Sequence, residues 1–151
     1  MLSKTLLRSV IGGTLVSFAA LHAAPSEGER LFDAKCVACH IKTRPDPSMR
    51  STFVAPPIMG VMLHVKEAFP GDREGAVAFI RSYVMTPDAA QAKCMPQAIQ
   101  RFGLMPSQKG NVTEEELARI AGYIYDTFPP AGFQPGAGRN AGSGPNGQSG
   151  S

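Results

Sequence analysis

Two thiols and one imidazole stand in this sequence at a spacing that suits covalent binding of a metalloporphyrin. They belong to the run Cys36-Val37-Ala38-Cys39-His40. Thiols separated by two residues can form thioethers with the two vinyl-derived carbons on one edge of a porphyrin, and the next residue can then bring its imidazole to the iron. The run therefore predicts one haem c, bound covalently through Cys36 and Cys39, with His40 as an axial ligand of the iron.

Other kinds of site begin with the same pair of cysteines. A structural zinc site needs a second pair of soft ligands, and the remaining candidates are Cys94, His22 and His64. A thioredoxin-like redox pair lies where a strand leads into a helix, whereas the residues around this motif are typical of helix and loop. Haem attachment explains the five residues more simply than zinc binding, a redox pair or a chance occurrence.

The first 23 residues have the three parts of a secretory signal peptide. Lys4 and Arg8 supply the basic start, residues 9–21 are apolar or small and uncharged, and a small-residue cleavage site ends at Ala23. The apolar stretch is too short to span a membrane. We expect cleavage after Ala23 and a periplasmic protein, with an uncleaved N-terminal anchor as the alternative.

Removal of the signal peptide leaves a nearly neutral chain. The full sequence has 15 basic and 12 acidic residues and a net charge of +3, which the loss of Lys4 and Arg8 lowers to +1. So small a positive charge does not fit a protein that binds nucleic acid. We therefore expect no nucleic-acid partner, and no transmembrane segment once the signal peptide is removed.

Residues 129–151 have the composition of a disordered tail. They contain 7 Gly, 4 Pro and 3 Ser in 23 residues, and such a segment has too little apolar surface to offset the entropy lost on ordering. The folded domain is therefore predicted to span residues 24–128. A domain of roughly one hundred residues buries only a modest core, and a covalently held porphyrin would enlarge it.

Capping signals and apolar periodicity predict helices throughout this domain. Capping boxes begin at Ser26 and Thr113, and Asp72 is a third N-cap candidate. A further helix is predicted from Pro57 to about Phe69, because apolar residues recur on one of its faces at the helical period. The residues of that face are Ile58, Val61, Met62, Val65 and Phe69.

Together these features resemble a class I c-type cytochrome, a small all-α electron carrier of the periplasm. In that family a helix precedes the Cys-x-x-Cys-His motif, the C-terminal helix packs across it, and a loop between them delivers a Met to the far side of the iron. The matching segments here are residues 26–35, 113–128 and 102–107. The resemblance implies an all-α, cytochrome c-like domain wrapped around the haem.

The resemblance also implies a close crossing of the first and last helices. Gly122, beside Tyr123 and Tyr125, is the candidate small residue for that crossing. The chain departs from the family pattern in its extra cysteine, Cys94, and in the long proline-containing segment 42–51 after the motif, which is predicted to be loop.

Met105 is the predicted second axial ligand. A thioether favours Fe(II) and raises the reduction potential relative to a second imidazole. Met105 precedes Pro106, whose fixed φ stiffens the chain, and follows Gly103, which permits close backbone approach. It also lies a short loop before the Thr113 cap, in the order usual for the family. Met95 likewise precedes a proline and stays an alternative ligand.

Other side chains of ligand type are expected elsewhere. Met59 and Met62 lie on or beside the apolar face of their helix and are predicted to be core residues. His64 falls away from that face and is predicted to be solvated, with distal ligation as the alternative. Cys94 has no thiol partner in the chain once the motif binds haem, which leaves a buried inert thiol, an intermolecular disulfide or redox contact, or an iron ligand.

These features together predict a soluble, monomeric, monohaem electron carrier rather than an enzyme. It is expected to dock transiently on redox proteins through small interfaces, with no strong electrostatic steering because its net charge is near neutral. Two alternatives stay open: a haem c subunit or domain of an oxidoreductase, and a haem sensor with an open distal site.

Overall fold

The computed structural model describes residues 24–44 and 46–135, and this part of the chain folds as helices joined by loops. The α-helices are α1 (Glu27–Lys35), α2 (Ile58–Ala68), α3 (Arg73–Met85), α4 (Pro96–Phe102) and α5 (Glu114–Thr127), with a 3₁₀ turn at Pro47–Thr52. Within the described residues no strand forms, although an isolated bridge joins Lys109 and Val112. The prediction of an all-α fold is confirmed.

Side-chain caps fix where three of the helices begin. Asp72, before α3, accepts a hydrogen bond of 2.8 Å from the backbone N–H three residues later. At α5, Thr113 Oγ1 accepts from the Glu116 N–H at 3.2 Å and the Glu116 carboxylate accepts from the Thr113 N–H at 2.9 Å, so the predicted capping box is complete. Ser26 caps α1 through the Glu29 N–H at 3.1 Å. Each such cap contributes about 1 kcal/mol.

The hydrophobic core lies where α1 and α3 pack on α5. Phe32 of α1 is 1% exposed, and the centroid of its ring lies 6.1 Å from that of Tyr123 and 6.4 Å from that of Phe128. Burial of a side chain of this size stabilises the fold by roughly 1.5–3 kcal/mol. The other buried apolar residues are Ile58, Met62, Val65, Ala76, Ile80, Val112, Leu117, Ile120, Ala121 and Ile124.

The crossing of α1 and α5 depends on Gly28. A Cβ at this position would overlap the carbonyl oxygen of Arg119 and lie 2.7 Å from the Cβ of Tyr123, so the two backbones can approach only because residue 28 has no side chain. Gly122, the residue predicted for this role, lies instead beside α3, where an added Cβ would be 3.5 Å from Nη2 of Arg73. The prediction of Gly122 is therefore wrong, and the small residue at the crossing belongs to the first helix.

Two described elements were not predicted. Helix α4 begins with Pro96 at its first turn, where a missing N–H costs no intrahelical bond, and it ends at Gly103, whose φ of +76° favours glycine. The 3₁₀ turn overlaps the predicted loop 42–51. It follows Asp46, whose carboxylate accepts the Ser48 N–H at 2.8 Å.

The chain after α5 contacts the domain as far as it is described. The Phe133 N–H donates to Pro130 O at 3.1 Å, and the Arg44 guanidinium lies over the Phe133 ring, 5.2 Å from its centroid. Arg44 also donates to the Gln134 carbonyl at 2.9 Å. The predicted signal peptide and residues 136–151 of the predicted tail lie outside the described residues. Among the helices that are described, none is long and apolar enough to cross a bilayer.

Candidate functional site

The cysteine-histidine motif continues the path of α1 as a helical turn. Cys36 is the C-cap of that helix, and its carbonyl accepts hydrogen bonds from the Cys39 N–H at 3.1 Å and the His40 N–H at 2.9 Å. Cys36 is half-buried, Cys39 is exposed, and both thiols are free. The turn therefore brings the two cysteines and His40 together in one short segment.

The two thiols differ in their surroundings. Burial, reinforced by the nearby Cys39, raises the pKa of the Cys36 thiol to about 11. Cys36 is therefore protonated at neutral pH, and because the thiolate is the reactive form of cysteine, its reactivity as a nucleophile is low.

His40 is oriented by a backbone carbonyl from another segment. Its Nδ1 lies 2.8 Å from the carbonyl oxygen of Pro56. A carbonyl oxygen can only accept, so Nδ1 must carry the proton of this bond. Burial lowers the pKa of His40 and favours the neutral ring. In that tautomer Nε2 keeps an unprotonated lone pair, which is the form of histidine that binds a metal ion.

Contacts around the motif hold this arrangement in place. The Ile58 N–H donates to Ile41 O at 3.1 Å, and this bond brings the two ends of the intervening loop together. Pro56 lies near the end of that loop, so the bond holds it close to His40. Lys42 pairs with two carboxylates of α1, at 2.7 Å from Asp33 and 3.1 Å from Glu29. The hydrogen bond to Asp33, and more weakly the one to Glu29, raise the pKa of Lys42. Lys42 is therefore positively charged at any physiological pH.

Met105 lies half-buried in the loop between α4 and α5. The loop is joined to the end of α3 by two bonds: Ser107 Oγ donates to Met85 O at 2.6 Å, and the Gln108 N–H donates to Val84 O at 3.0 Å. Gly103 has a positive φ, which favours glycine. A Cβ at that position would have open space around it, so the backbone angle and not crowding is the reason for glycine there.

The alternative ligands lie in different settings. Met95 is 57% exposed and stands at the N-cap of α4. Met62 is fully buried and Met59 packs against the core, so the prediction that both are core residues is confirmed. His64 is partly exposed, and its Nδ1 lies 2.9 Å from a carboxylate oxygen of Glu67 one turn along α2.

Cys94 is a free, half-buried thiol outside the motif. It precedes α4 and lies close to Tyr83, whose pKa is raised by burial and, less strongly, by Cys94. The neighbouring Lys93 ammonium lies 5.5 Å from the centroid of the Phe79 ring.

Three residues of this region were missed by sequence reasoning. Pro56 contributes a backbone oxygen to His40, Lys42 contributes its charge to α1, and Ser107 contributes its hydroxyl to the end of α3. Each acts across at least nine residues of sequence, and no local pattern reports such a contact. The Pro56-Pro57 pair indicates a rigid start to α2, but it gives no sign that the carbonyl of Pro56 orients a histidine.

The donor set of the motif suits a covalently bound haem. Two cysteines and one oriented, neutral imidazole lie within five residues of one helical turn, from Cys36 to His40. A c-type haem needs these groups: two sulfurs for the thioethers and one nitrogen for the iron. The residues present therefore fit the group that the motif predicts.

Most of the chain is similar in sequence to known proteins. Residues 23–124 match the protein family described as cytochrome C oxidase, cbb3-type, subunit III. An uncharacterized protein of Aquifex aeolicus (strain VF5) is 30% identical to this chain over 123 residues, a match that covers 74% of this chain and 80% of that protein. No solved structure matches the chain. The family match includes the motif, the Met105 loop and α5 as far as Ile124.

Proposed function

This chain belongs to the cytochrome c family of cbb3-type oxidase subunit III, and we propose that it carries single electrons at one haem c attached through Cys36 and Cys39. Membership of the family implies haem-based electron transfer. His40 and Met105 would bind the iron of that haem. When bound, the haem supplies an iron that accepts and releases one electron between Fe(III) and Fe(II).

The hydrogen bond from His40 Nδ1 to Pro56 O is the observation that supports this proposal most directly. It fixes the tautomer, restrains the ring, and leaves Nε2 free to bind a metal ion. Partners of this kind raise the basicity of a ligating histidine and hold its orientation. A histidine so restrained retains its position through oxidation and reduction, which keeps the reorganisation that accompanies electron transfer small.

Met105 is proposed as the second residue that would bind the iron, because its loop is both anchored and half-buried. The bonds of Ser107 and Gln108 to the end of α3 restrain the loop just beyond Met105. Met95, the competing methionine, is mostly exposed. A closed sixth position suits an electron carrier, whereas a ligand-binding or catalytic haem needs that position open.

The family description supports a second candidate function. Subunit III of a cbb3-type oxidase is part of a larger enzyme, so this chain could pass electrons as a subunit of an oxidoreductase instead of as a free carrier. In either case we propose a periplasmic location after removal of residues 1–23, and redox proteins as the partners. As a free carrier it would be a monomer that docks transiently.

An optical spectrum of the purified holoprotein tests the proposed chemistry. We expect six-coordinate low-spin iron, a weak sulfur-to-iron band in the red, and slow binding of carbon monoxide by the reduced protein. High-spin iron that binds carbon monoxide rapidly would contradict the carrier and favour an enzyme or a sensor. Fractionation then separates the two candidates: a free carrier is released with the periplasm, whereas a subunit copurifies with a membrane oxidoreductase.

A further inference from the structure

The loop that contains Met105 also caps the C-terminus of α3. The last four carbonyls of an α-helix have no partner within the helix. In α3, the Ser82 carbonyl accepts from the Thr86 N–H at 2.9 Å, whereas Val84 and Met85 accept from outside the helix. Their donors are the Gln108 N–H and the Ser107 hydroxyl, at 3.0 and 2.6 Å. The Met105 loop therefore satisfies backbone groups that would otherwise need water.

Ser107 links this cap to the rest of the loop. Its hydroxyl donates to Met85 O and accepts from the Lys109 N–H at 3.3 Å. Beyond it, the carbonyl of Gln108 accepts from the Val112 N–H at 3.2 Å, and Val112 is buried in the core. One hydroxyl thus joins the end of α3 to the segment that leads into the core.

The position of Ser107 limits how far Met105 can move. Two residues of chain span at most about 7 Å, so Met105 cannot travel far while Ser107 stays bonded to Met85. On the other side, Gly103 closes α4 through its N–H, which donates to Ile99 O at 2.8 Å. The loop is therefore fixed to the rest of the domain on its C-terminal side, at Ser107 and Gln108.

We infer that Ser107 is a positioning residue, which holds the Met105 loop against the end of α3 and so keeps the proposed distal ligand in place. This inference rests on the proposed role of Met105. Release of Ser107 would shift the loop towards open conformations in which the sixth position of the iron accepts an external ligand. The bond that is lost is a single one, so the shift is a change of population and not a loss of the fold.

The test compares three variants of the holoprotein. Ser107→Ala removes the hydroxyl, Ser107→Thr retains it, and Arg73→Gln removes a different tie of α3, the bidentate pair with Asp126 at 2.7 and 2.9 Å at the opposite end of the helix. The measurements are the intensity of the sulfur-to-iron band in the oxidised protein and the rate of carbon monoxide binding to the reduced protein, both well below the melting temperature.

For Ser107→Ala we expect a weaker sulfur-to-iron band and carbon monoxide binding that is faster by a factor on the order of 2 to 10, the range that corresponds to one hydrogen bond. Ser107→Thr should restore both values, and Arg73→Gln should change neither. Equal carbon monoxide rates in wild type and Ser107→Ala would overturn the inference. An equal acceleration in Arg73→Gln would also overturn it, because the effect would then be general destabilisation.

Failure of the proposed ligand gives a different result. If Met105 is not bound to iron, the wild-type protein already lacks the sulfur-to-iron band and binds carbon monoxide rapidly. If Met105 is bound and Ser107 has no positioning role, the wild-type band is present and Ser107→Ala leaves it unchanged. The wild-type spectrum therefore distinguishes the two failures.

Discussion

The imidazole of His40 and the backbone of Pro56 are joined by a 2.8 Å hydrogen bond across 16 residues of sequence. Because the acceptor is a main-chain carbonyl, the bond survives most substitutions of the Pro56 side chain, and its loss requires a change in the path of the loop. The orientation of His40 is therefore determined by the fold of the segment between the motif and α2, more than by any one side chain of that segment.

The motif residues give the first prediction. Cys36→Ser or Cys39→Ser should weaken or abolish covalent haem attachment, and His40→Ala should prevent a native low-spin holoprotein, since each removes a group that the haem requires. Haem staining after denaturing electrophoresis measures attachment, because thioether bonds survive denaturation. Cys94→Ser is the control and should stain like wild type. Complete extraction of haem from the wild-type protein by acid-acetone would contradict covalent attachment.

Met105→Ala should open the sixth position of the iron. Water, cyanide or carbon monoxide would then bind, and the sulfur-to-iron band would disappear. Met105→His should keep low-spin iron but lower the potential, because imidazole stabilises Fe(III) relative to a thioether. Met95→Ala and His64→Ala are matched controls that should leave the spectrum unchanged. Loss of the band in Met95→Ala alone would transfer the ligand role to Met95.

Gly28→Ala should destabilise the protein. The added methyl group meets the Arg119 carbonyl and the Tyr123 side chain at the α1–α5 crossing, and overpacking of this kind costs about 1–3 kcal/mol. Gly122→Ala, on the opposing helix, should be neutral or stabilising by up to roughly 1 kcal/mol, because its methyl group contacts only the flexible Arg73 side chain. Thermal melting of both holoproteins checks the pair. A reversed order of melting temperatures would restore Gly122 as the crossing residue.

Glu116 should make stability depend on pH below neutrality. The hydrogen bond from Lys35, at 2.8 Å, lowers the pKa of Glu116 below its ordinary value of 4.5, and the Thr113 N–H lowers it further. The charged form is thus favoured in the folded state, so the stabilisation is complete above pH 4.5 and is lost as the pH falls through the lowered pKa.

The test of this pH dependence uses Glu116→Gln, which keeps an acceptor for the capping box but removes the charge. At pH 7 the variant should melt at a lower temperature than wild type, and the difference should shrink as the pH falls from 4.5 towards 3. Arg73 lies outside this pair, so Arg73→Gln should not alter the contribution of the Lys35–Glu116 pair to the melting temperature. A difference in melting temperature that stays constant from pH 7 to pH 3 would mean that the ion pair contributes nothing.

Two truncations should separate the parts of the region after α5. Removal of residues 136–151 should leave the melting temperature unchanged, as expected for a Gly- and Pro-rich tail. Removal of residues 129–151 should lower it by a few degrees, because the contact of Arg44 with Phe133 and Gln134 is lost as well. Phe133→Ala should reproduce most of that decrease. Identical melting of both truncations would show that this contact contributes no stability.

Much of the fold follows from local signals in the sequence. Thr113 and Asp72 mark the starts of α5 and α3 because N-caps act over three residues, and the apolar stripe of α2 has the helical period. Helix α4 escaped prediction because it has seven residues, no side-chain cap and no residue that is fully buried. Where caps and periodicity are weak, the rest of the fold decides the local structure.

The candidate site was predictable only in part, for a related reason. The chemistry of Cys36, Cys39 and His40 can be predicted from five consecutive residues. The assignment of Met105, in contrast, depends on the order of segments along the chain. The supporting contacts join residues far apart in sequence, such as Ser107 with Met85 and His40 with Pro56. Their spacing has no characteristic period, so only the folded structure reveals them.

The contact of Arg44 with Gln134 has a practical meaning for electrochemistry. Arg44 follows His40 by four residues, a stretch that spans at most about 14 Å, and its guanidinium holds the Gln134 carbonyl at 2.9 Å. Residues 133 and 134, near the end of the described chain, therefore lie close in space to the segment that follows the motif. A surface-anchoring group placed at residue 135, in a chain that ends there, would hold this side of the protein towards an electrode and shorten the distance over which current must pass.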